Sequence, residues 1–189
     1  MNSICLHIIE LYCMQVNRMN QNNSNACRCI RPSSASFPYS IFALALPTIV
    51  GVISSRISGM GQGQVTPFPN KPPLVPPGKV FPIVWTILYA LMGIAFYLVV
   101  NAQVDPKSKQ VAKIIFYVQL FLNFIWSIAF FNLKQCTLAF VIICLLLFMI
   151  ILNVIVFGRI HRLAGYLLIP YLLWVAFALY LNLGFCILN

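Results

Sequence analysis

The sequence predicts an all-α integral membrane protein, a bundle of five transmembrane helices. Of its 189 residues, 61% are hydrophobic and only 7% are charged, whereas about a quarter is usual in soluble domains. Five apolar stretches follow one another, and none contains Asp or Glu. Each is close to the roughly 20 residues that a helix needs to cross a bilayer. Because lipid offers no hydrogen-bond partner to exposed backbone groups, helices are the expected form.

The N-terminal 35 residues are predicted to be a disordered tail, ahead of one membrane domain at 36–189. The segment Asn17–Asn25 is rich in asparagine, a composition that buries too little apolar surface to fold. The apolar segment Ile4–Leu11 contains Glu10. It is too short to cross a membrane, and it lacks the layout of a signal peptide.

The membrane domain is expected to hold five helices joined by short connections, except for a long first loop at 58–80. Pro47 and Pro170 fall inside or near the start of helices, and membrane helices tolerate proline, often with a kink. Long loops are often functional. The expected helices lie at about 37–57, 81–103, 111–131, 135–158 and 163–188.

The first loop contains the stretch KPPLVPPG at Lys71–Gly78, which leads directly into an apolar helix. Each proline fixes φ and removes a backbone donor, so an extended path is expected. From Phe81 the pattern is apolar, with Trp85 and Tyr89 one helical turn apart on one face. A stiff loop next to an aromatic helix face predicts a pocket for a flat apolar ligand.

The basic residues predict how the bundle is oriented. Eight lie on the side of the N-terminus and four on the opposite side. The positive-inside rule therefore predicts a cytoplasmic N-terminus and an external first loop in a bacterial plasma membrane. The eight are Arg18, Arg28, Arg31, Lys107, Lys109, Lys113, Arg159 and Arg162, and the four are Arg56, Lys71, Lys79 and Lys134.

The scarcity of acidic residues argues against several function classes. The only two are Glu10 and Asp105, outside the expected helices, whereas coupled transporters usually carry ionisable groups inside the membrane. A general acid–base enzyme is disfavoured for the same reason, and His161 is expected to be a solvated loop residue. The net charge of +10 is expected to meet lipid headgroups rather than nucleic acid.

The seven cysteines are expected to be unpaired thiols rather than metal ligands. Their number is odd and no Cys-x-x-Cys pair occurs, so a zinc site is not predicted. Buried cysteines commonly act as small apolar residues.

Aromatic and amide side chains recur at helical spacing in the second, third and fifth helices. One interpretation is that the amides bond between helices while the aromatics pack or lie at the interfaces. The other is a ligand pocket, since such sites are mostly apolar and aromatic with a few polar groups. The residues are Trp85, Tyr89, Gln119, Asn123, Trp126, Tyr171, Trp174, Ala178 and Asn182.

Four motifs in fixed order resemble the translocator protein family, also called the tryptophan-rich sensory protein or TspO/MBR family. They are KPPLVPPG at 71–78, FPIVWTILYALMG at 81–93, QLFLNFIWSIAFF at 119–131 and PYLLWVAFALYLN at 170–182. The resemblance implies a five-helix bundle, often a homodimer, whose first loop closes a pocket. It also implies binding of tetrapyrroles such as protoporphyrin and heme, and in some members of sterols.

The resemblance assigns roles to individual residues. Some members degrade protoporphyrin in light, and Trp85 and Trp174 would be the catalytic residues if this chain does so. Ala178 matches a position associated with sterol sensitivity. No metal and no required cofactor are implied. The implied ligand-binding residues are Trp85, Tyr89, Asn123, Trp126, Trp174, Ala178 and Asn182, and the covering loop contributes Lys71, Pro72, Pro76, Pro77 and Lys79.

The sequence departs from the family pattern at two loop positions. Lys79 stands where tryptophan is common, and Thr66-Pro67-Phe68 stands near the usual Trp-Tyr. Fewer loop tryptophans weaken the case for porphyrin degradation, whereas Lys79 offers a positive charge to a propionate.

Three functions stay open. A tetrapyrrole-binding receptor or sensor is favoured over a transporter of porphyrin-like solutes or sterols, and over a light-dependent porphyrin-degrading enzyme. A bacterial cell membrane is the expected location, with the mitochondrial outer membrane as the alternative.

Overall fold

The computed structural model describes residues 37–57 and 68–189, and the tail and the first part of the long loop lie outside these ranges. The described residues form helices joined by short connections, without strands. The helices are α1 (Phe37–Ile57), α2 (Val80–Asn101), α3 (Pro106–Ser127) with a π-helical turn at Ile128–Asn132, α4 (Cys136–Ile160), α5 (Arg162–Leu167) and α6 (Ile169–Leu188).

The helices confirm the all-α fold and the membrane character. Four segments are long and apolar enough to cross a bilayer, and a shorter apolar helix covers Ile41–Ile57. Large apolar side chains point outward, including Ile83, Phe121 and Phe148, each more than half exposed. Such a surface is suited to lipid contact. The four long segments are Val80–Asn101, Pro106–Asn132, Cys136–Ile160 and Arg162–Leu188.

Glycines allow close approach between neighbouring helices. A Cβ added to Gly93 on α2 would lie 2.6 Å from the carbonyl oxygen of Leu44 on α1. A Cβ on Gly165 of α5 would lie 2.8 Å from Cα of Gly158 on α4. Small residues serve this purpose at helix interfaces in membranes. They bring α1 against α2, and α5 against α4.

The third helix begins at Pro106 rather than at Val111, where it was expected. Asp105 caps it, since its Oδ2 accepts hydrogen bonds from the backbone N–H groups of Lys107 and Ser108 at 3.1 and 3.2 Å. Proline at the first helical position is favourable because its missing N–H has no helical partner there.

The fifth membrane segment is divided into α5 and α6 at Leu168. Pro170 has no N–H to donate and therefore favours the start of a helix over its interior. The helix resumes at once, since the N–H of Leu172 donates to the carbonyl oxygen of Leu168 at 3.0 Å. The sequence predicted one segment with a tolerated proline, and the structure interrupts that segment at Leu168, so that Pro170 lies in the first turn of α6.

A disulfide between Cys136 and Cys186 overturns the expectation of unpaired thiols for these two residues. Cys136 begins α4 and Cys186 lies in the last turn of α6, and their Cα atoms are 5.4 Å apart. The two helix ends are neighbours in space although 50 residues separate them in sequence. Spacing along the chain gives no sign of such a pairing. Cys144 is free and exposed.

Candidate functional site

Four aromatic side chains from α2, α3 and α6 form a buried group, called the aromatic cluster below. Trp85 stacks on Tyr89 with ring centroids 5.5 Å apart, and it lies 6.3 Å from both Trp126 and Tyr171. None of the four is more than 9% exposed. The structure thus brings together the predicted residues Trp85, Tyr89 and Trp126, and adds Tyr171.

Asn123 fixes the position of Tyr171 within this cluster. Its Nδ2 donates a hydrogen bond to the Tyr171 hydroxyl oxygen at 2.9 Å, and both side chains are buried. This bond joins α3 to α6. By contrast, the indole Nε1 of Trp126 is buried without a hydrogen-bond partner, so it remains as a donor that a ligand could use.

Phenylalanines extend the cluster toward the long loop. Trp126 stacks on Phe130 at 5.6 Å, and Phe130 contacts Phe185 at 5.7 Å. Phe68 lies 5.4 Å from Phe130 and 5.6 Å from Phe185. The sequence did not single out Phe130 and Phe185 as site residues. Phe130 follows Trp126 by four residues, and this spacing could have indicated it.

The proline-rich loop, Phe68–Lys79, lies against the end of α6. Pro72 is buried, and its Cβ would be 2.6 Å from a Cβ added to Gly184. The Tyr180 hydroxyl donates to the carbonyl oxygen of Pro73 at 3.4 Å. Of the other predicted loop residues, Pro76 is half-buried. The exposed ones are Lys71, Pro77 and Lys79.

Two asparagines attach this loop to the end of α6. The N–H of Asn70 donates to Oδ1 of Asn189 at 3.1 Å, and Nδ2 of Asn189 donates to the carbonyl oxygen of Asn70 at 3.0 Å. Nδ2 of Asn70 also donates to the carbonyl oxygen of Leu188 at 3.0 Å. The position of the loop therefore follows the position of the α6 end.

Ala178 and Asn182 are both buried on α6. Nδ2 of Asn182 lies 3.7 Å from Sγ of Cys136 and 3.9 Å from Sγ of Cys186. Its Oδ1 is buried and has no hydrogen-bond partner. Asn182 is therefore held beside the disulfide and retains one acceptor for a ligand.

Trp174 occupies a different environment from the aromatic cluster. It is half-buried and makes ring contacts with Phe81 at 5.8 Å and Phe177 at 5.7 Å. It lines a groove of about 550 Å³ between α2 and α6, together with Leu88 and Pro170. The lining includes neither Trp85 nor Trp126. The sequence placed Trp85 and Trp174 in one pocket; in the structure Trp174 lines this groove, and Trp85 belongs to the aromatic cluster.

The described part of the chain holds no group of three or more His, Cys, Asp or Glu placed to bind a metal ion. His161 lies between α4 and α5, and partial burial lowers its pKa below the ordinary value. The groups gathered at the cluster are uncharged rings, amides and hydroxyls. Their chemistry is stacking and neutral hydrogen bonding.

Comparisons with known proteins agree on one family. The model of the TspO/MBR family matches residues 43–188. The chain is 40% identical over 119 residues to tryptophan-rich protein TspO of Chlorobaculum tepidum, covering 63% of this chain and 75% of that protein. It is 35% identical over 114 residues to the tryptophan-rich sensory protein of Cereibacter sphaeroides, covering 60% and 69%. It is 34% identical over 114 residues to the translocator protein of Ovis aries, covering 60% and 68%.

Proposed function

Because this chain belongs to the TspO/MBR family of membrane proteins, we propose that it is a receptor or sensor that binds a tetrapyrrole, a porphyrin or heme. The ligand lies among the rings of the aromatic cluster, under the proline-rich loop. Relatives carry the names sensory protein and translocator protein, and both names suit a membrane protein that recognises a small molecule.

The observation that carries this proposal is the continuous set of buried rings from three helices with unused polar atoms beside it. Flat rings favour stacked or edge-on contacts, each contributing about 0.5–1.5 kcal/mol beyond the area buried. Trp126 Nε1 offers a donor, and Asn182 Oδ1 an acceptor. A planar apolar ligand with pyrrole nitrogens matches both features.

The loop supplies the charge that such a ligand needs. Tetrapyrroles carry propionate groups, and Lys71 and Lys79 are exposed on the loop. A lysine ammonium group is a suitable partner for a carboxylate at a water-exposed position. The macrocycle would thus lie inside the bundle and its propionates at the loop.

Binding requires the rings of the cluster to move apart, because Trp85, Tyr89 and Trp126 contact one another. The ring–ring contacts that break are then replaced by contacts with the macrocycle, whose flat face is larger than that of any neighbouring ring and therefore covers more of each side chain. If the ligand is heme, the tyrosines are the only side chains of the cluster whose type binds heme iron in other proteins. Stacking on the macrocycle is therefore the main source of affinity, with or without the iron.

A second candidate function is favoured by the groove beside Trp174. Its volume of about 550 Å³ falls within the range of small-molecule sites, and its walls are apolar and lie between two membrane helices. An apolar ligand such as a sterol could enter it from the bilayer. This would suit a transporter of porphyrin-like solutes or sterols, in agreement with the name translocator protein.

One experiment on purified protein separates the candidate functions. Protoporphyrin is titrated in the dark, the complex is then illuminated, and flux into liposomes is measured in parallel. A saturable absorbance change in the dark with a stable spectrum in light supports the receptor. New absorbing products in light support the enzyme, and flux supports the transporter. Failure to bind in the dark, with folding confirmed by circular dichroism, would contradict the receptor, the enzyme and the transport of porphyrins.

The four long apolar segments make this an integral membrane protein. We place it in a prokaryotic cell membrane, on the basis of relatives in Chlorobaculum tepidum and Archaeoglobus fulgidus. A homodimer, as the family resemblance implies, remains part of this proposal.

A further inference from the structure

The Cys136–Cys186 disulfide joins the two helix ends that support the proline-rich loop. Cys136 is the first residue of α4, and Cys186 lies in the last turn of α6. The loop makes no bond to either cysteine in the contacts described above. It is held by Leu188 and Gly184, in the same final turns of α6 as Cys186, and by Asn189, which directly follows the helix.

From this arrangement we infer that the disulfide is a redox site that controls how firmly the loop is held on the bundle. While the bond is intact, α6 cannot move away from α4 at this end. The hydrogen bonds between Asn70 and Asn189 therefore keep a fixed anchor. Once the bond is reduced, the end of α6 is released and the loop loses that anchor.

Asn182 extends the effect of the disulfide into the bundle. Its Nδ2 lies within 3.9 Å of both sulfur atoms, and its carbonyl oxygen is 3.5 Å from Sγ of Cys136. Reduction replaces one bonded pair of sulfurs by two thiols that repel each other sterically at this distance. Asn182 must then shift, so the bond state reaches a buried polar side chain as well as the loop.

Both cysteines are placed where a redox partner can reach them. Each is only partly buried, and the neighbouring Gln135 and Ile187 are exposed. The positive-inside pattern puts this end of the bundle outside the cytoplasm, which is the kind of compartment in which disulfides persist. The predicted orientation is therefore consistent with a disulfide at this end of the bundle.

The reaction is a thiol–disulfide exchange that needs a dithiol reductant, either a small molecule or a protein. One thiolate of the reductant attacks one sulfur and displaces the other cysteine as a thiolate. The second thiol of the reductant then displaces the first cysteine. The products are two protein thiols and one disulfide on the reductant, a transfer of two electrons and two protons. A disulfide oxidant reverses the same steps.

The bond itself is tested by peptide mapping of the full chain. Protein is purified without reductant, its free thiols are blocked with N-ethylmaleimide, and it is cleaved with trypsin. Cleavage after Lys134, Arg159 and Arg162 should yield one linked product that joins peptide 135–159 to peptide 163–189. Two blocked thiols at Cys136 and Cys186 in place of that product would overturn the inference.

The effect on the loop is tested by hydrogen exchange of the segment 68–75, with and without a dithiol reductant. Reduction should speed exchange several-fold in the wild type, because release of the α6 end lets the loop open locally. The Cys136→Ser/Cys186→Ser variant should exchange fast in both conditions, and Cys144→Ser, whose thiol is free, should behave as the wild type. Asn189→Ala should exchange fast with its disulfide intact, since it lacks the loop anchor.

An unchanged exchange rate in reduced wild type, with the linked peptide shown to be lost, would overturn the coupling of disulfide to loop. Should the double serine variant fail to fold, the wild type with and without reductant still decides the matter. The readout involves no tetrapyrrole, so this inference stands or falls apart from the proposed function.

Discussion

At the scale of single residues, the hydrogen bond from Asn123 to Tyr171 organises the site. It crosses from α3 to α6 in the bundle interior, where neither partner can bond to water instead. Such bonds between membrane helices contribute about 0.6 kcal/mol on average and up to about 1.7 kcal/mol. Its value lies in the fixed place it gives to the Tyr171 ring beside Trp85.

A double-mutant cycle measures this bond. We expect Asn123→Leu and Tyr171→Phe each to lower the free energy of unfolding. Together they should lower it by less than the sum of the two, by about 0.6–1.7 kcal/mol. The measurement is equilibrium unfolding of the purified protein in mixed micelles. Additive effects would show that the two side chains do not interact.

Residue spacing in the sequence predicted part of the site and not the rest. Trp85 and Tyr89 share a helix face, and Trp126 and Asn123 share another, as periodicity predicted; the structure shows that both faces are buried. Trp174 fits the same face rule as Asn182, yet it is half-buried beside a groove. Helical spacing shows which residues lie on the same side of a helix. It does not show how much of that side a neighbouring helix covers.

At the scale of elements, the position of the proline-rich loop on α6 depends on Gly184, which has no side chain. Pro72 packs against Gly184 so closely that any Cβ at Gly184 would contact it at 2.6 Å. Proline cannot relieve this contact by changing rotamer as a long side chain would. The fit of the loop on α6 therefore requires glycine at this position.

We expect Gly184→Ala to displace the loop. The exposed bond after Lys79 should then be cut by trypsin several-fold faster, since proteolysis follows local opening. Lys71 precedes proline and is a poor trypsin site. Gly158→Ala is the matched control, because a Cβ there meets its nearest atom at 3.9 Å, an ordinary contact. Equal cleavage rates in the two variants would contradict the described packing.

The sequence predicted all five membrane segments but not their internal irregularities. The lengths of the apolar stretches were enough to predict the segments. The early start of α3, however, depends on the Asp105 cap, and the break before α6 depends on Pro170. The π-helical turn at Ile128–Asn132 and the disulfide had no sequence signal. The disulfide joins the ends of two helices that are distant along the chain, and residue spacing does not show which ends will meet.

At the scale of the whole molecule, orientation in the membrane decides which solvent meets the loop. The positive-inside pattern predicts an external loop and an external end of α6. A phosphatase reporter that folds only outside the cytoplasm, fused after Asn189, should therefore be active in bacterial cells. The same reporter fused ahead of Met1 serves as the control and should be inactive. The reverse pattern would invert the predicted orientation.

The central claim concerns which rings receive the ligand, the aromatic cluster or the groove at Trp174. The cluster joins three helices in the interior, whereas the groove lies between α2 and α6 and is open at the surface of the bundle. A ligand held by stacking must lose affinity when its stacking partners are replaced by aliphatic side chains of similar burial. Each lost aromatic contact amounts to about 0.5–1.5 kcal/mol.

The most direct test is therefore a dark titration of protoporphyrin against wild type, Trp85→Leu/Trp126→Leu and Trp174→Leu, with Phe148→Leu on the lipid-facing surface as the control. Our account predicts a Kd about 5-fold to 150-fold higher for the cluster variant, from two lost contacts at about 0.5–1.5 kcal/mol each. It predicts little change for Trp174→Leu and none for the control. A cluster variant that is folded, as judged by circular dichroism, and binds with wild-type Kd would contradict it.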